Sequence, residues 1–228
     1  MKLSVLIPVY NEKSTIAEVI RRVRAVNLGG LELEIVVADD GSRDGTREVL
    51  EQYKGDTVVK THTSLINLGK GAAVRFALEH ATGDIVLIQD ADLELDPEDY
   101  PKLLAPLVSG EAEVVYGSRF LQKNVMPLQT VLANKFLSTL TTVLFGSRIT
   151  DMETAYKVFK RDVIKSINLR CVGFEFEPEI TSKILLSGRK IKEVAINFHP
   201  RTKVEGKKIR FSDGIYAIIY LFKYRFFS

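Results

Sequence analysis

Asp84-Ile85-Val86-Leu87-Ile88-Gln89-Asp90-Ala91-Asp92 is the stretch on which the reading of this chain turns. Consecutive aliphatic residues between polar groups describe a short buried strand. Two carboxylates one residue apart follow in the turn beyond it, and Glu94 stands two residues further on. Acids so spaced can address one hard cation: Mg²⁺ and Mn²⁺ take oxygen ligands and accept one or two carboxylates completed by phosphate and water. A solvated acidic turn has the same Asp-x-Asp pattern. The buried strand before it and Glu94 after it favour a metal site at Asp90, Asp92 and Glu94.

Outward from that strand, the first half of the chain alternates strand and helix patterns. Residues 3–10, 33–38, 57–61 and 114–116 are expected as the first, second, third and fifth strands, with 84–89 the fourth. Between them, residues 14–25 place Ile16, Val19, Ile20 and Val23 on one helical face, and Asp44 is set to cap a helix reaching about Tyr53. Residues 71–80 read as helical, and Asp96-Pro97 opens another helix. The alternation predicts an α/β fold, with a mostly parallel central sheet and helices on both faces. Such sheets bind ligands beyond the carboxyl ends of their strands. Asn11-Glu12, Asp39-Asp40, Asn67, Asp90 to Asp92, and Ser118-Arg119 all trail apolar runs and are expected to share one crevice.

The second half is less regular. Leu128–Phe145 and Phe176–Leu186 read as helices, 156–159 and 190–196 as strands, and 201–210 as a basic loop. Ser212 or Asp213 is expected to cap a final helix carrying Ile215, Ile218, Ile219 and Phe222. No repeat, low-complexity tract or linker divides the chain.

Composition narrows the function. The chain has 228 residues, 46% hydrophobic and 27% charged, which suits one folded domain. A net charge of +3 is too mild to argue for nucleic acid. Acids crowd between 84 and 99 and bases between 201 and 210, a pairing that suits a metal plus a phosphate. Cys171 is the single cysteine, so a Cys-based zinc site is excluded, and His62, His80 and His199 lack metal-ligand spacing. No signal peptide is read at the N-terminus. The longest apolar run, 215–222, is far short of the roughly 18–20 residues a span needs. These features lead to the expectation of a cytoplasmic protein.

Other candidates each have a bland rival. Asp39, after the second strand, can accept from the N–H groups of a nucleobase; the rival is a turn and cap, which Asp44 supplies without Asp39 or Asp40. Asn67-Leu68-Gly69-Lys70-Gly71 lets backbone approach a ligand at a helix start, where anions are favoured; a loop with a solvated lysine would look the same. Arg119 can meet phosphate or form a structural ion pair. The basic loop with Arg201 and Lys207 can close over a diphosphate or be a solvated face. The apolar tail of 211–227 can lie in a membrane interface or pack on the domain.

Together these segments resemble glycosyltransferase family 2, which has the GT-A fold, and within it the dolichol-phosphate mannose and glucose synthase-like branch. The matching pieces are Ile7-Pro8-Val9-Tyr10-Asn11-Glu12, Asp39-Asp40-Gly41-Ser42-Arg43-Asp44-Gly45-Thr46, residues 83–97, Val115-Tyr116-Gly117-Ser118-Arg119, Asp151-Met152-Glu153-Thr154-Ala155-Tyr156-Lys157, and 193–213. The resemblance implies a nucleotide-binding half over 1–118, an acceptor half over 119–211 and a C-terminal amphipathic helix over 212–228. Pro8, Tyr10, Glu12, Asp39 and Asp40 would hold the base and ribose, with Lys70 at the loop–helix start. Asp92 would be the main metal ligand, with Asp90 toward ribose or metal and Glu94 nearby. Arg119 would lie near phosphates, and Arg201 and Lys207 would clamp the diphosphate. Asp151 takes the position of the family's candidate catalytic aspartate. Ala155-Tyr156 departs from the Gly-aromatic pair common in this branch.

The implied activity is inverting transfer of a hexose from a nucleotide-sugar donor of GDP-mannose or UDP-glucose type. The acceptor is a polyprenyl phosphate or a saccharide hydroxyl, with Mg²⁺ or Mn²⁺ as cofactor and peripheral membrane contact through the last helix. A hydroxyl acceptor would need Asp151 as general base; an anionic lipid phosphate would not. Two rivals remain: a sugar nucleotidyltransferase, opposed by Pro8-Val9-Tyr10-Asn11-Glu12 where a Gly-rich loop is expected, and a silent sugar-nucleotide-binding module, opposed by the intact acids.

Overall fold

The computed structural model describes residues 1–201 and 211–227. Its strands are β1 (Lys2–Val9), β2 (Glu32–Asp39), β3 (Val59–Thr63), β4 (Ile85–Ile88), β5 (Val114–Ser118), β6 (Lys157–Lys160) and β7 (Lys192–Ala195). They form one sheet in the order β3-β2-β1-β4-β6-β5-β7. β1 is parallel to β2 and β4, β2 to β3, and β5 to β7; β6 alone runs antiparallel, seated between β4 and β5. The sheet is mostly parallel, as the alternating pattern predicts. The chain winds outward from β1 to β3 and returns to β4 on the other side of β1. The carboxyl ends of β1 and β4 therefore flank the switch in strand order, where such sheets open a crevice.

Period-two burial explains why the strands are apolar throughout. On one face Leu3, Val5, Ile7, Ile35 and Val37 pack against Ile16, Val19, Ile20 and Val23 of α1 (Ile16–Ala25), and Leu103 and Leu107 of α4 (Tyr100–Val108) join them. On the other face Leu6, Val36, Val86 and Ile88 meet Val74 and Ala77 of α3 (Lys70–His80) and Ile180 and Ile184 of α7 (Phe176–Leu186). Each such side chain, fully buried, contributes about 1.5–3 kcal/mol. The remaining helices are α2 (Thr46–Glu51), α5 (Leu128–Phe145), α6 (Arg161–Ser166) and α8 (Phe211–Phe226). A smaller cluster of Leu137, Ile149, Met152, Ala217 and Leu221 joins α5 and α8 to the domain.

Some boundaries differ from expectation for local reasons. β3 starts at Val59 because Asp56 Oδ1 accepts from the amides of Val58 and Val59, holding the preceding residues in a turn. Asp44 Oδ1 accepts from the Thr46 amide and hydroxyl, so it does brace the start of α2. α8 is bounded at Phe211, which places Ser212 and Asp213 inside the helix and not at its cap. The short α6 follows β6 directly and has no periodic signal long enough to announce it.

Candidate active site

Parallel pairing puts the ends of β1, β2 and β4 on one edge. Two successive antiparallel pairings through β6 return β5 to the same direction, so Ser118 and Arg119 reach that edge too. Asp39 is buried; its Oδ1 accepts from the Ser42 amide, and Oδ2 has no hydrogen-bond partner among the described residues. A buried carboxylate oxygen left so is costly unless a ligand completes it. Asp40 is occupied differently: Oδ1 accepts from the Leu68 amide at 2.8 Å and Oδ2 from the Gly69 amide at 2.7 Å. Burial pushes its pKa up against those two bonds. Both oxygens of Asp40 thus anchor a loop. Pro8 lies in β1 beside Ala38, and Glu12, just beyond the strand, donates its amide to Thr46 Oγ1.

The loop that Asp40 anchors leads straight into Lys70, whose Nζ lies 2.9 Å from Oδ1 and 3.0 Å from Oδ2 of Asp90. Loop and lysine thus tie the acids after β2 to those after β4. The start of α3 is not an open anion site. The Gly71 and Ala72 amides donate to the carbonyls of Gly173 and Val172, so the donors expected to meet a phosphate are already used. Gly69 is needed where this contact is made. Its φ is +108°, and a Cβ there would stand 2.4 Å from the Val172 carbonyl oxygen. Gly69→Ala should cost more than about 2 kcal/mol of stability in a denaturant melt.

The acid pair is fixed from below. Gln89 Oε1 accepts from the hydroxyls of Tyr100 and Tyr156, and Gln89 Nε2 donates to the Asp90 carbonyl. Leu93, between the acids, takes a left-handed φ of 64°, a conformation branched and bulky residues rarely hold. Arg201 crosses the acids, because Leu95 and Phe198 form an antiparallel bridge beside it. Its amide donates to Glu94 Oε1, and its guanidinium donates to Glu12 and, at 3.1 Å, to Asp92 Oδ2.

Burial, then the neighbouring Asp90 and Glu94 carboxylates, push the pKa of Asp92 up to about 7 against the pull of Arg201. Such crowding is what a divalent cation relieves. Among the described residues no three His, Cys, Asp or Glu side chains are grouped to enclose an ion by themselves. Two carboxylates completed by diphosphate oxygens and water fit that arrangement, and fit Mg²⁺ or Mn²⁺ better than zinc. A cation held by Asp92 would compete with a proton there. The apparent Mn²⁺ affinity of the protein alone should therefore fall about tenfold per pH unit below about 7, read by electron paramagnetic resonance.

Asp151 is held in an ion pair. It is fully buried, and Arg119 donates to it from its backbone amide at 2.9 Å, from Nε at 2.7 Å and from Nη2 at 2.7 Å. Its own amide donates to Glu193 of β7, which also receives the Thr150 amide. The structural ion pair weighed as a rival for Arg119 is present, and Asp151 is its partner.

A profile for the family described as Glycosyl transferase family 2 matches residues 4–167. The chain belongs to glycosyltransferase family 2. The low-salt glycan biosynthesis hexosyltransferase Agl6 of Haloferax volcanii is 33% identical over 218 residues, covering 93% of this chain and 51% of that protein. The dolichol-phosphate mannosyltransferase of Pyrococcus furiosus is 30% identical over 214 residues, covering 91% and 59%. The chain thus spans between half and three fifths of the length of these two relatives. A crystal structure of glucosyl-3-phosphoglycerate synthase from Mycobacterium tuberculosis, in complex with Mn²⁺, UDP and phosphoglyceric acid, superposes with a TM-score of 0.74. It is 20% identical and covers 100% of this chain and 79% of that one. The fold is the GT-A fold of this family.

Within that family frame, the structure brings together Glu12, Asp39, Asp40, Lys70, Asp90, Asp92, Glu94 and Arg201 at one edge, with Arg119 flanked by Asp151, Glu153 and Glu94. Lys207 lies outside the described residues. Sequence reasoning missed Gln89, Lys157, Glu177 and Glu193. Lys157 sits between Tyr156 and Val158 at the start of an interior strand, and Glu177 in the first turn of α7 reads as a solvated acid, yet both are buried.

Proposed function

We propose that this chain transfers a hexose, with inversion, from a nucleotide-activated sugar to a polyprenyl phosphate. The observation that carries the reading is the bridge from Asp40 through Leu68 and Gly69 to Lys70 and Asp90. It ties the acids after β2 and β4 to one another at one edge of the sheet, beside the orphaned Asp39 oxygen. Asp39 would accept from a base N–H, with Pro8, Tyr10 and Glu12 lining that side. Asp90 and Asp92, with Glu94 near, would hold Mg²⁺ or Mn²⁺, which when bound supplies Lewis acidity to the departing diphosphate. Arg201 and Lys207 would add positive charge there. Residues 1–118 would serve the donor and 119–211 the acceptor.

Two features favour a phosphate acceptor. Asp151 is committed to Arg119, and an anionic phosphate needs no base. α5 exposes Leu128, Leu132, Phe136 and Val143 at helical spacing, and α8 exposes Ile215, Ile219, Phe222 and Phe226. No helix among the described residues is long and apolar enough to cross a membrane. These faces suit peripheral contact with a lipid surface, where a polyprenyl phosphate resides. Phe136→Glu should cut flotation with anionic lipid vesicles several-fold while leaving the melt unchanged.

A saccharide hydroxyl acceptor has one observation in its favour. Glu153 Oε1 is buried without a hydrogen-bond partner among the described residues, and burial pushes the Glu153 pKa up to about 7, the range of a general base.

The test is a thermal-shift screen of nucleotide sugars with and without Mn²⁺, followed by transfer of labelled hexose to polyprenyl phosphate or to saccharides. At about 100 Kd a true donor adds roughly 2.7 kcal/mol. Pyrophosphate release from a nucleoside triphosphate would replace this reading with a nucleotidyltransferase, and donor binding without transfer to any acceptor with a binding module.

A further inference from the structure

Lys70 does not face Asp90 alone. Its Nζ also lies 3.1 Å from Oε1 of Glu177, so two carboxylates share one ammonium that is 14% exposed. Glu177 is held in turn. Its Oε2 pairs with Nζ of Lys157, which is fully buried, lies over the Tyr116 ring, and also donates to the carbonyls of Met152 and Thr154. A continuous charge chain, Lys157–Glu177–Lys70–Asp90, therefore runs from the centre of the sheet, through the first turn of α7, to the first acid of the pair.

Without Glu177 this arrangement would work against cation binding. Lys70 approaches both oxygens of Asp90 almost equally, and a divalent ion can use that carboxylate only as the ammonium withdraws. A lysine desolvated among acids is bound tightly by whichever carboxylate stays, and the two here raise its pKa despite burial. Glu177 is the second carboxylate, and Lys157 fixes it in place.

We infer that Glu177 is a positioning residue for the cation site: it draws the Lys70 ammonium away from Asp90 and so keeps that carboxylate available to a divalent ion. Resting on the metal role proposed for Asp90 and Asp92, this adds a function for a helix-start acid outside the crevice. It also gives buried Lys157 a purpose beyond packing.

The test is Mn²⁺ binding to the protein alone, read by electron paramagnetic resonance or calorimetry without donor or acceptor. Glu177→Gln keeps the shape and leaves Lys70 with Asp90 as its only carboxylate among the described residues, so Mn²⁺ affinity should drop roughly 5- to 20-fold. Lys70→Met removes the competing ammonium, so Mn²⁺ affinity should rise. In the Lys70→Met background Glu177→Gln should change affinity less than twofold, because Glu177 acts only through Lys70. An effect of Glu177→Gln that is equal in both backgrounds, or absent from both, overturns the inference. No Mn²⁺ binding by the unaltered protein would remove the metal reading instead. Should Glu177→Gln fail to fold, Glu177→Asp decides: it keeps a carboxylate for Lys157 but draws it back from Lys70, so Mn²⁺ affinity should fall, and a rise or no change counts against the proposal.

Discussion

Asp92→Asn is expected to lower turnover roughly a thousandfold, with the fold intact. The substitution keeps the side-chain volume, and the amide oxygen can still accept from the Glu94 amide, the bond that now shapes the turn. What goes is one negative charge at the point where Asp90, Glu94 and Arg201 converge. That charge is repelled by its own neighbours in the cation-free protein, so its removal should leave the melting temperature unchanged or slightly higher. Mn²⁺ affinity should fall with turnover, and nucleotide affinity without Mn²⁺ should hold. Asp39→Asn offers the contrast. It turns an acceptor into a donor at the proposed nucleotide side of the site, so it should raise the donor KM more than it lowers kcat. Turnover within tenfold of the unaltered protein in Asp92→Asn would remove the cation from the proposed reaction.

The parts of this site that were legible in the sequence are those where chemistry follows a strand end. Asp39 and the Asp90, Asp92 and Glu94 group stand directly after aliphatic runs, and parallel pairing is enough to bring them to one edge. Arg201 lies more than a hundred residues from Asp92, but a local excess of bases marked its segment. What was not legible depends on tertiary partners that composition does not specify. Asp40 looked like Asp39, yet its oxygens face the amides of a loop whose position is set by Val172 and Gly173, from the other half of the chain. The Gly69–Lys70–Gly71 segment looked like an anion cradle for the same reason, and the same loop closes it. Lys157 is hidden by an assumption about strands: a lysine in a short strand normally marks a solvent face, but β6 is interior and has none. His62 and His80, distant in sequence, meet with ring centroids 4.1 Å apart and planes tilted by 42° across β3 and α3, a contact no spacing rule could foresee.

Asp151 separates position from chemistry most sharply, through two substitutions with opposite expectations under the two roles. As the partner of Arg119, it neutralises a guanidinium that is 10% exposed and that also lies over the ring of Phe198. Removing its charge strands that cation, so Asp151→Ala should cost about 3–5 kcal/mol in a denaturant melt and take activity with it. Arg119→Met should cost a similar amount by stranding the carboxylate. The double variant Arg119→Met with Asp151→Leu replaces the pair with apolar groups and should recover most of the lost stability. If that protein folds well but does not transfer hexose, while Asp151→Asn alone keeps its kcat, then Arg119 meets the substrate and Asp151 serves by holding it. A catalytic base behaves otherwise: Asp151→Asn would keep the melt, lower kcat, and erase the acidic limb of the pH–rate profile. The threefold grip of Arg119 on Asp151 favours the first outcome. With a phosphate acceptor the reaction has no proton for Asp151 to remove, so proof that Asp151 acts as a base would overturn the proposed acceptor, whereas the pairing role fits that acceptor and leaves Glu153 as the base for a hydroxyl.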